Sequence, residues 1–444
     1  METTELEAGR INAGAGGRIS VKISNQIIDP QNVTSLIVRE WALDHWRVPR
    51  LEIVVQDDGL LSDWDLPFQG TIIEIDIIKD KSDDLEESEL ITLAGNYKVV
   101  DFSFTKSAGM QAGAGFDVTL TALLDIPSMF TITPNVAYTS TTSLAVLQSI
   151  ADDLELDFIT NIDSTADSMN WLCVNTTPIK FIQHVVERSY ITDGDATLCF
   201  IGKNSTLNYI SFNSSFDGEA IPCKYNTKMT FVNTVKETIR EGIKLGLEEE
   251  EAASTIWYSS FSLKGSANSS EIMNGGFLNS VKTLDIQSGN WMPGIGSEQD
   301  NGDQALTEVI VDNHTNLVTG EIDPNETSFK SDRVVYNGIL PGVRTTTENV
   351  YGDEYYYSKT NRKNVLSGFL GSPITIEVNP NIPLAVGNIL DLEAPASAPI
   401  EGSPTAEIHD GQYIVLGLIY MVDNGMFKKI ASIHRVGYNV NPNI

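Results

Sequence analysis

The 444-residue sequence predicts a mainly β protein with an α+β insertion: a first β module with the pattern of a small barrel or sandwich, an inserted α/β domain, and a second β module near the C-terminus. Three observations predict it. Short runs rich in Ile and Val, separated by glycine or acidic turns, fill residues 18–130 and return after residue 370. The hydrophobic period changes from two to between three and four at Thr141. A glycine-led pair of strands occurs twice, in the same order.

The first β region, residues 1–130, contains "RISVKIS", "RLEIVVQ", "TIIEIDIIK", "NYKVVDFSF" and "FDVTLTALL". In 131–225, "TTSLAVLQSIADDLEL" places Leu144, Leu147, Ile150, Ala151 and Leu154 on one helix face after a Thr/Ser cap. A second helix is expected over "NTTPIKFIQHVVERSY", with Thr177 as cap, Pro178 in the first turn, and a buried stripe of Phe181, Ile182, Val185, Val186 and Ser189. "ATLCFIGKNSTLNYISF" alternates across a turn and reads as a hairpin. Residues 226–350 form a third region, with a helix expected between Val235 and Trp257 followed by long loops rich in Gly, Asn, Asp and Ser. The last region, 351–444, opens with an expected helix at "DEYYYSKTNRKNVLSGFL" and continues as the second β module.

The repeated pair is "GTIIEID" from Gly70 with "GNYKVV" from Gly95, answered by "GNILDLE" from Gly387 with "GQYIVL" from Gly411. Tyr97 and Tyr413 occupy the same place in the second strand. A third strand, "GFDVTLTALL" or "GMFKKIASIH", follows in each case. Glycine is expected at strand starts because it accepts positive φ and close backbone approach. Gly70, Gly95, Tyr97, Gly387, Gly411 and Tyr413 are therefore the residues expected to mark one module used twice.

Sixty acidic side chains against 29 basic ones give a formal charge of −31, which repels phosphates and argues against binding nucleic acid through basic patches. Cys173, Cys199 and Cys223 are widely spaced and form no C-x-x-C, so they read as reduced core residues. The N-terminus shows no basic region followed by an apolar one, and no run approaches eighteen apolar residues, so neither a signal peptide nor a membrane anchor is expected.

No motif brings catalytic chemistry. Asp193 and Asp195 in "DGDATL" lack the further oxygen ligands of a calcium loop and read as a turn. Glu248 to Glu251 reads as a solvated helix face. His45, His184, His314, His409 and His434 are scattered, and neither H-E-x-x-H nor G-x-S-x-G occurs. "AGMQAGAGF" lacks the G-K-[ST] ending of a phosphate loop and reads as a hairpin tip. No catalytic residue, metal or cofactor is expected.

The order of a β module, the helix at "TTSLAVLQSIADDLEL", the segment "SMNWLCVNTTPIKFIQHVVERSY", the "ATLCFIG…LNYISF" hairpin and the closing "VGNILDLEAP…DGQYIVLGLIY…IHRVG" module resembles the baseplate hub proteins of contractile-tailed phages. It is similar also to the hub part of late control D proteins and of type VI secretion spike proteins. The resemblance spans most of residues 20–225 and 350–438 and implies tail-tube-like β-barrel modules in a trimeric ring. Six similar modules would then seat a sixfold tail tube on one face and a threefold central spike on the other. The implied protein is structural and not an enzyme, a homotrimer that touches the tail tube protein, a separate spike protein and surrounding baseplate wedge proteins. It would be assembled in the host cytoplasm and reside in the tail baseplate of the virion, with DNA only in transit past an acidic inner wall.

Two other classes stay open on the residues alone. One is a host-adhesion or carbohydrate-binding β protein of the tail tip, for which Tyr355, Tyr356 and Tyr357 are the candidate aromatic site. The other is a glycosidase working through paired carboxylates, none of which is singled out. A hub of a non-contractile tail or of another contractile injection system fits the same resemblance.

Overall fold

The computed structural model describes residues 11–13, 17–24, 26–43, 48–57, 70–79, 91–105, 116–132, 135–192, 195–226, 240, 242–244, 247–263, 278–281, 330–333, 373–379, 382–394, 410–423 and 426–435. The chain is mainly β. The first group of strands is β1 (Ile11–Ala13), β2 (Gly17–Ile23), β3 (Gln26–Ile27), β4 (Val33–Trp41), β5 (Arg50–Asp57), β6 (Ile72–Lys79), β7 (Ile91–Thr105) and β8 (Phe116–Leu124). Six of these lie in the order β2-β6-β7-β8-β5-β4, all neighbours antiparallel. Alternation decides which side chains turn inward: Leu36 and Val38 on β4, Leu51, Ile53 and Val55 on β5, Ile73, Ile75 and Ile77 on β6, and Val118, Leu120 and Ala122 on β8 are all buried. Each fully buried Ile or Leu stabilises the fold by about 1.5–3 kcal/mol relative to exposure.

The chain then leaves the sheet for a smaller α/β unit made of β9 (Val136–Thr141), α1 (Ser143–Asp153), β10 (Asp157–Thr160), β11 (Met169–Cys173), α2 (Pro178–Arg188), β12 (Thr197–Gly202), β13 (Thr206–Ser211) and the short α3 (Phe212–Phe216). β12 and β13 form the expected hairpin, and β10 joins β13 in parallel. Thr142 caps α1, its hydroxyl accepting from the Ala145 N–H, and α2 begins with Pro178 after Thr177. The expected stripe of α2 is buried, whereas on α1 Val146 rather than Leu144 completes the inner face. The unit is tied together by one carboxylate. Asp167 is fully buried and accepts from the backbone N–H groups of Ser143 (2.9 Å) and Tyr190 (3.0 Å), joining the start of α1 to the chain after α2.

The remaining elements are β14 (Ile221–Tyr225), α4 (Glu249–Ser254), β15 (Ile256–Leu263), β16 (Leu278–Val281), β17 (Lys330–Arg333), β18 (Ile374–Val378), β19 (Ile389–Glu393), β20 (Gly411–Asp423) and β21 (Met426–His434). Six of them close a barrel: β20 pairs β19, β19 pairs β14, β14 pairs β15, β15 pairs β18, β18 pairs β21, and β21 returns to β20. β14 runs parallel to both its neighbours.

This membership differs from the sequence reading in two places. β14 and β15 come from stretches grouped there with the inserted domain and the third region, yet both are barrel staves. Of the helix expected from Val235 to Trp257, residues 240 and 242–244 and the stretch Glu249–Ser254 are helical among the described residues, and Trp257 lies in β15. "IWYSSFSL" is rich in aromatic and β-branched residues, and pairing with β18 overrides the weak helical signal upstream. The expected helix at residues 353–370 and the expected loops of 288–303 and 312–329 lie outside the described residues, whereas 330–332, read as loop from the sequence, belong to β17. Cys173, Cys199 and Cys223 are buried free thiols, as read from their spacing.

Replacing Asp167 with alanine leaves the buried Ser143 N–H and the part-buried Tyr190 N–H without this acceptor, so Asp167→Ala is expected to cost about 2–4 kcal/mol. Asp167→Asn, which keeps one carbonyl oxygen, is expected to lose less; denaturant unfolding followed by circular dichroism checks both.

Candidate assembly interface

Gly70 and Gly387 each hold positive φ (85° and 95°) immediately before a strand. The Gly70 N–H donates to the Val99 carbonyl at 2.9 Å, and the Gly387 N–H donates to the Val415 carbonyl at 2.8 Å. The return bonds also match, from Val99 N–H to Thr71 O and from Val415 N–H to Asn388 O, both 2.9 Å. Tyr97 lies opposite Ile73, and Tyr413 lies opposite Leu390, and both rings are buried. The second glycine pair is less alike. Gly411 opens β20 at φ 127°, whereas Gly95 sits inside β7, where a Cβ would come within 3.1 Å of the Tyr97 ring.

The correspondence extends beyond these six residues. β7 pairs with β8 across an irregularity between Val99 and Asp101, and β20 pairs with β21 across one between Val415 and Gly417. β4 against β5 is irregular between Val33 and Ser35, and β15 against β18 between Tyr258 and Ser260. Opposed residues keep step: Val99 faces Ala122 where Val415 faces Ile433, and Leu51 faces Ala122 where Ile374 faces Ile433. Five strands, β4 to β8, thus have the connectivity and register of β15, β18, β19, β20 and β21. The sixth differs, since β2 is antiparallel to β6 while β14 is parallel to β19, and only β14 closes a barrel among the described residues.

The two sheets meet through one strand pair. β4 lies antiparallel against the second half of β20, from Gly417 opposite Trp41 to Asp423 opposite Ser35. Gly417 is required there, because a Cβ would lie 2.1 Å from Cε3 of Trp41. The Trp41 ring stands edge-on to that of His434, with centroids 5.8 Å apart.

Beside this seam a polar cluster is enclosed. The alternation that buries Leu36 and Val38 also turns Glu40 inward. Its carboxylate accepts from the Lys203 N–H (3.0 Å), in the turn between β12 and β13. The Lys203 ammonium lies 4.7 Å from the centre of the Tyr420 ring, and that of Lys429 lies 5.4 Å from it. Lys429 also donates to the carbonyls of Ile382 (2.8 Å) and Leu384 (3.2 Å). Burial pushes Glu40 above the ordinary carboxylate range, partly offset by the Lys203 N–H and the charges of Lys203 and Lys429. Burial, and then the Glu40 charge, raise Tyr97 and Tyr420 as well. The cluster joins all three parts of the chain: β4, the turn of the α/β unit, and the β20–β21 hairpin.

No group of three or more His, Cys, Asp or Glu residues that could hold a metal occurs among the described residues, and no described helix is long and apolar enough to cross a membrane. Asp195 is buried and accepts from the Ser211 hydroxyl (2.7 Å), a structural role at the start of α3. Glu248 is the N-cap residue of α4, with Glu249 to Glu251 in its first turn. His184 stacks on Phe181, and His434 is buried with Nε2 3.0 Å from the Ser432 hydroxyl. Asp193, His45, His314, His409 and Tyr355 to Tyr357 lie outside the described residues.

No protein-family model and no curated protein matches the sequence. Solved structures do match the fold. The tail protein from Neisseria meningitidis MC58 superposes with a TM-score of 0.51 at 9% identity, over 95% of this chain and 97% of its own. The 43 kDa tail protein of prophage MuSo2 from Shewanella oneidensis gives 0.51 at 10% identity, over 94% and 98%. The chain shares its fold with these two tail proteins. The superposition runs over nearly the whole of both tail proteins.

The seam residues Trp41, Gly417, Glu40, Lys203 and Lys429 carry no motif that singles them out in the sequence. Glu40 carried a signal, since it falls on the inward-facing parity of "SLIVREW" two residues after Val38.

A methyl group at Gly417 must displace the Trp41 ring, and Gly417→Ala is expected to destabilise the protein by about 1–3 kcal/mol in denaturant unfolding. Glu40 gives a pH signature. Because its folded-state pKa is raised, the stability linked to its protonation is fully present below the ordinary carboxylate value and is lost as pH rises through the raised one. Glu40→Gln keeps the acceptor for Lys203 and removes this dependence. The variant is expected to gain stability over wild type at mildly alkaline pH and to lose that advantage on acidification, read from unfolding midpoints across the pH range.

Proposed function

We propose that this chain is the structural hub of a phage baseplate, a homotrimer adapting a sixfold tail tube to a threefold central spike, and not an enzyme. The observation that carries this reading is the five-strand correspondence between β4–β8 and the β15, β18–β21 set. Two equivalent modules per chain supply six equivalent positions in a trimer, which a sixfold tube can meet, while the remaining parts of each chain repeat three times. The likeness of fold to phage tail proteins over nearly the whole chain supports the same reading. In this reading Gly70, Gly95 and Tyr97 mark the first module and Gly387, Gly411 and Tyr413 the second, with the α/β unit of residues 136–220 inserted between them.

The partners are then the tail tube protein, a separate spike protein and the surrounding wedge proteins, all within the virion tail. DNA passes through the ring without being held. Within a Debye length of about 8 Å at physiological salt only lining residues act on the passing phosphates. An acidic wall keeps them from binding, which suits a chain of charge −31.

Sedimentation equilibrium of the full chain tests the proposal. The expected mass is that of three chains, and a mass of one chain or of six across a wide concentration range overturns it.

A further inference from the structure

The α/β unit rests on the barrel sheets without a backbone ladder. Its strands form two small sheets, β10-β13-β12 and β9-β11, and neither continues into the large sheet that holds β4 and β20. The β12–β13 hairpin brings the unit down on the seam. Ile210, on β13, lies so close to Gly387 that a Cβ at Gly387 would fall 2.8 Å from the Ile210 Cδ1. The tip of the hairpin is a preformed turn, closed by the Ser205 N–H donating to the Gly202 carbonyl (3.1 Å) with Ser205 at φ 57°. It lies over Glu40, which is 6% exposed, and Gly202 has no side chain to hold it away from the carboxylate.

Among the described residues, the charged and titratable groups that face Glu40 come from four elements. β20 presents the Tyr420 ring and β7 the Tyr97 ring, both neutral. β21 presents the Lys429 ammonium, and the turn brings the Lys203 ammonium together with its N–H. His434 packs on the ring of Trp41, which strand alternation directs to the opposite face of β4 from Glu40. Glu40 is thus a single carboxyl among two cations and two phenols, and the turn is its cover on the side of the α/β unit.

We propose that this turn is a proton-operated latch: it stays closed over Glu40 while the carboxyl is protonated and lifts from the seam when the carboxyl ionises, releasing the α/β unit from the two sheets. The sign follows from solvation. Lifting the turn returns Glu40 to water, where it ionises in the ordinary carboxylate range, whereas closure withdraws it from water and disfavours the charged form. Burial outweighs the opposing pull of the Lys203 N–H and of the two ammonium charges. Closure is therefore fully favoured below the ordinary carboxylate value and weakens as pH rises through the raised one. Lys203 and Lys429 moderate the device, since each favours the ionised form and delays the point at which closure fails to hold a proton. The latch is a property of one chain and does not depend on the hub reading.

Hydrogen–deuterium exchange of the full chain, read by mass spectrometry and corrected for the intrinsic effect of pH, tests it. In the wild type, protection of residues 198–208 is expected to fall several-fold between mildly acidic and mildly alkaline pH, while β4 and the stretch of β20 paired with it keep theirs. Glu40→Gln cannot ionise and keeps an acceptor for the Lys203 N–H, so its turn is expected to stay protected throughout. Lys203→Met removes the ammonium but keeps the backbone N–H and the apolar stem, and its turn is expected to lift at a higher pH than in the wild type. Protection of the turn that ignores pH in the wild type overturns the latch, and so does an unchanged pH dependence in Glu40→Gln. A fall shared equally by β4 and β20 overturns it as well, because the opening is then global. Lifting of Lys203→Met at the same or a lower pH removes Glu40 as the group that operates the turn.

Discussion

β20 has thirteen residues and three strand partners, and the rest of the molecule is arranged around how it divides them. Its first residues complete the barrel with β19, its length runs beside β21, and from Gly417 onward it carries β4. A strand has only two hydrogen-bonding edges, so β19 and β4 must share one of them in succession. The irregularity between Val415 and Gly417 lies at the handover. A bulge sharpens local twist and turns the strand from one sheet toward the other. Gly417 then lets Trp41 cross closely enough for the two sheets to become one continuous ladder.

A ladder of this kind joins backbones and is indifferent to most side chains. Specificity at the seam comes from the enclosed polar cluster beside it. Glu40 and Lys429 are both nearly inaccessible, and their cost of burial is offset only where Lys203, the carbonyls of Ile382 and Leu384, and the Tyr420 ring stand in register. An alternative register would leave a buried charge without partners, which costs several kcal/mol. The α/β unit contributes Lys203 through its hairpin turn, so its position over the seam is tied to the correct joining of the two sheets. Gly202 beside it leaves room for the Glu40 carboxylate, a Cβ there falling 3.3 Å from Oε1.

Much of this was legible from residues alone. The helices at Ser143 and Pro178 follow from apolar spacing and capping, both local properties, and the β12–β13 hairpin follows from alternation across a short turn. Gly70 and Gly387 were legible because positive φ narrows the choice of residue. Gly95 was read as a strand start and is instead an interior position that makes room for a tyrosine ring, a requirement of packing that the neighbouring residues do not announce. β15 was obscured because the apolar period of "IWYSSFSL" follows directly on a charged helical stretch, and nothing local says where one ends.

The sequence by itself determined which side chains face inward along each strand, where the period turns from strand to helix, and that a strand pair recurs with its glycines and tyrosines in place. These depend on residues a few positions apart. Tertiary structure alone decided that β14 and β15 become staves of the second barrel, that β4 lies on β20 while the matching edge of β7 carries no strand among the described residues, and that Glu40 is enclosed beside two lysines. The reason is the nature of strand pairing: alternation directs side chains to one face or the other, but hydrogen bonds run sideways from a backbone that is nearly the same for every residue. Which edge meets which is settled only when distant segments compete for the same row of donors and acceptors.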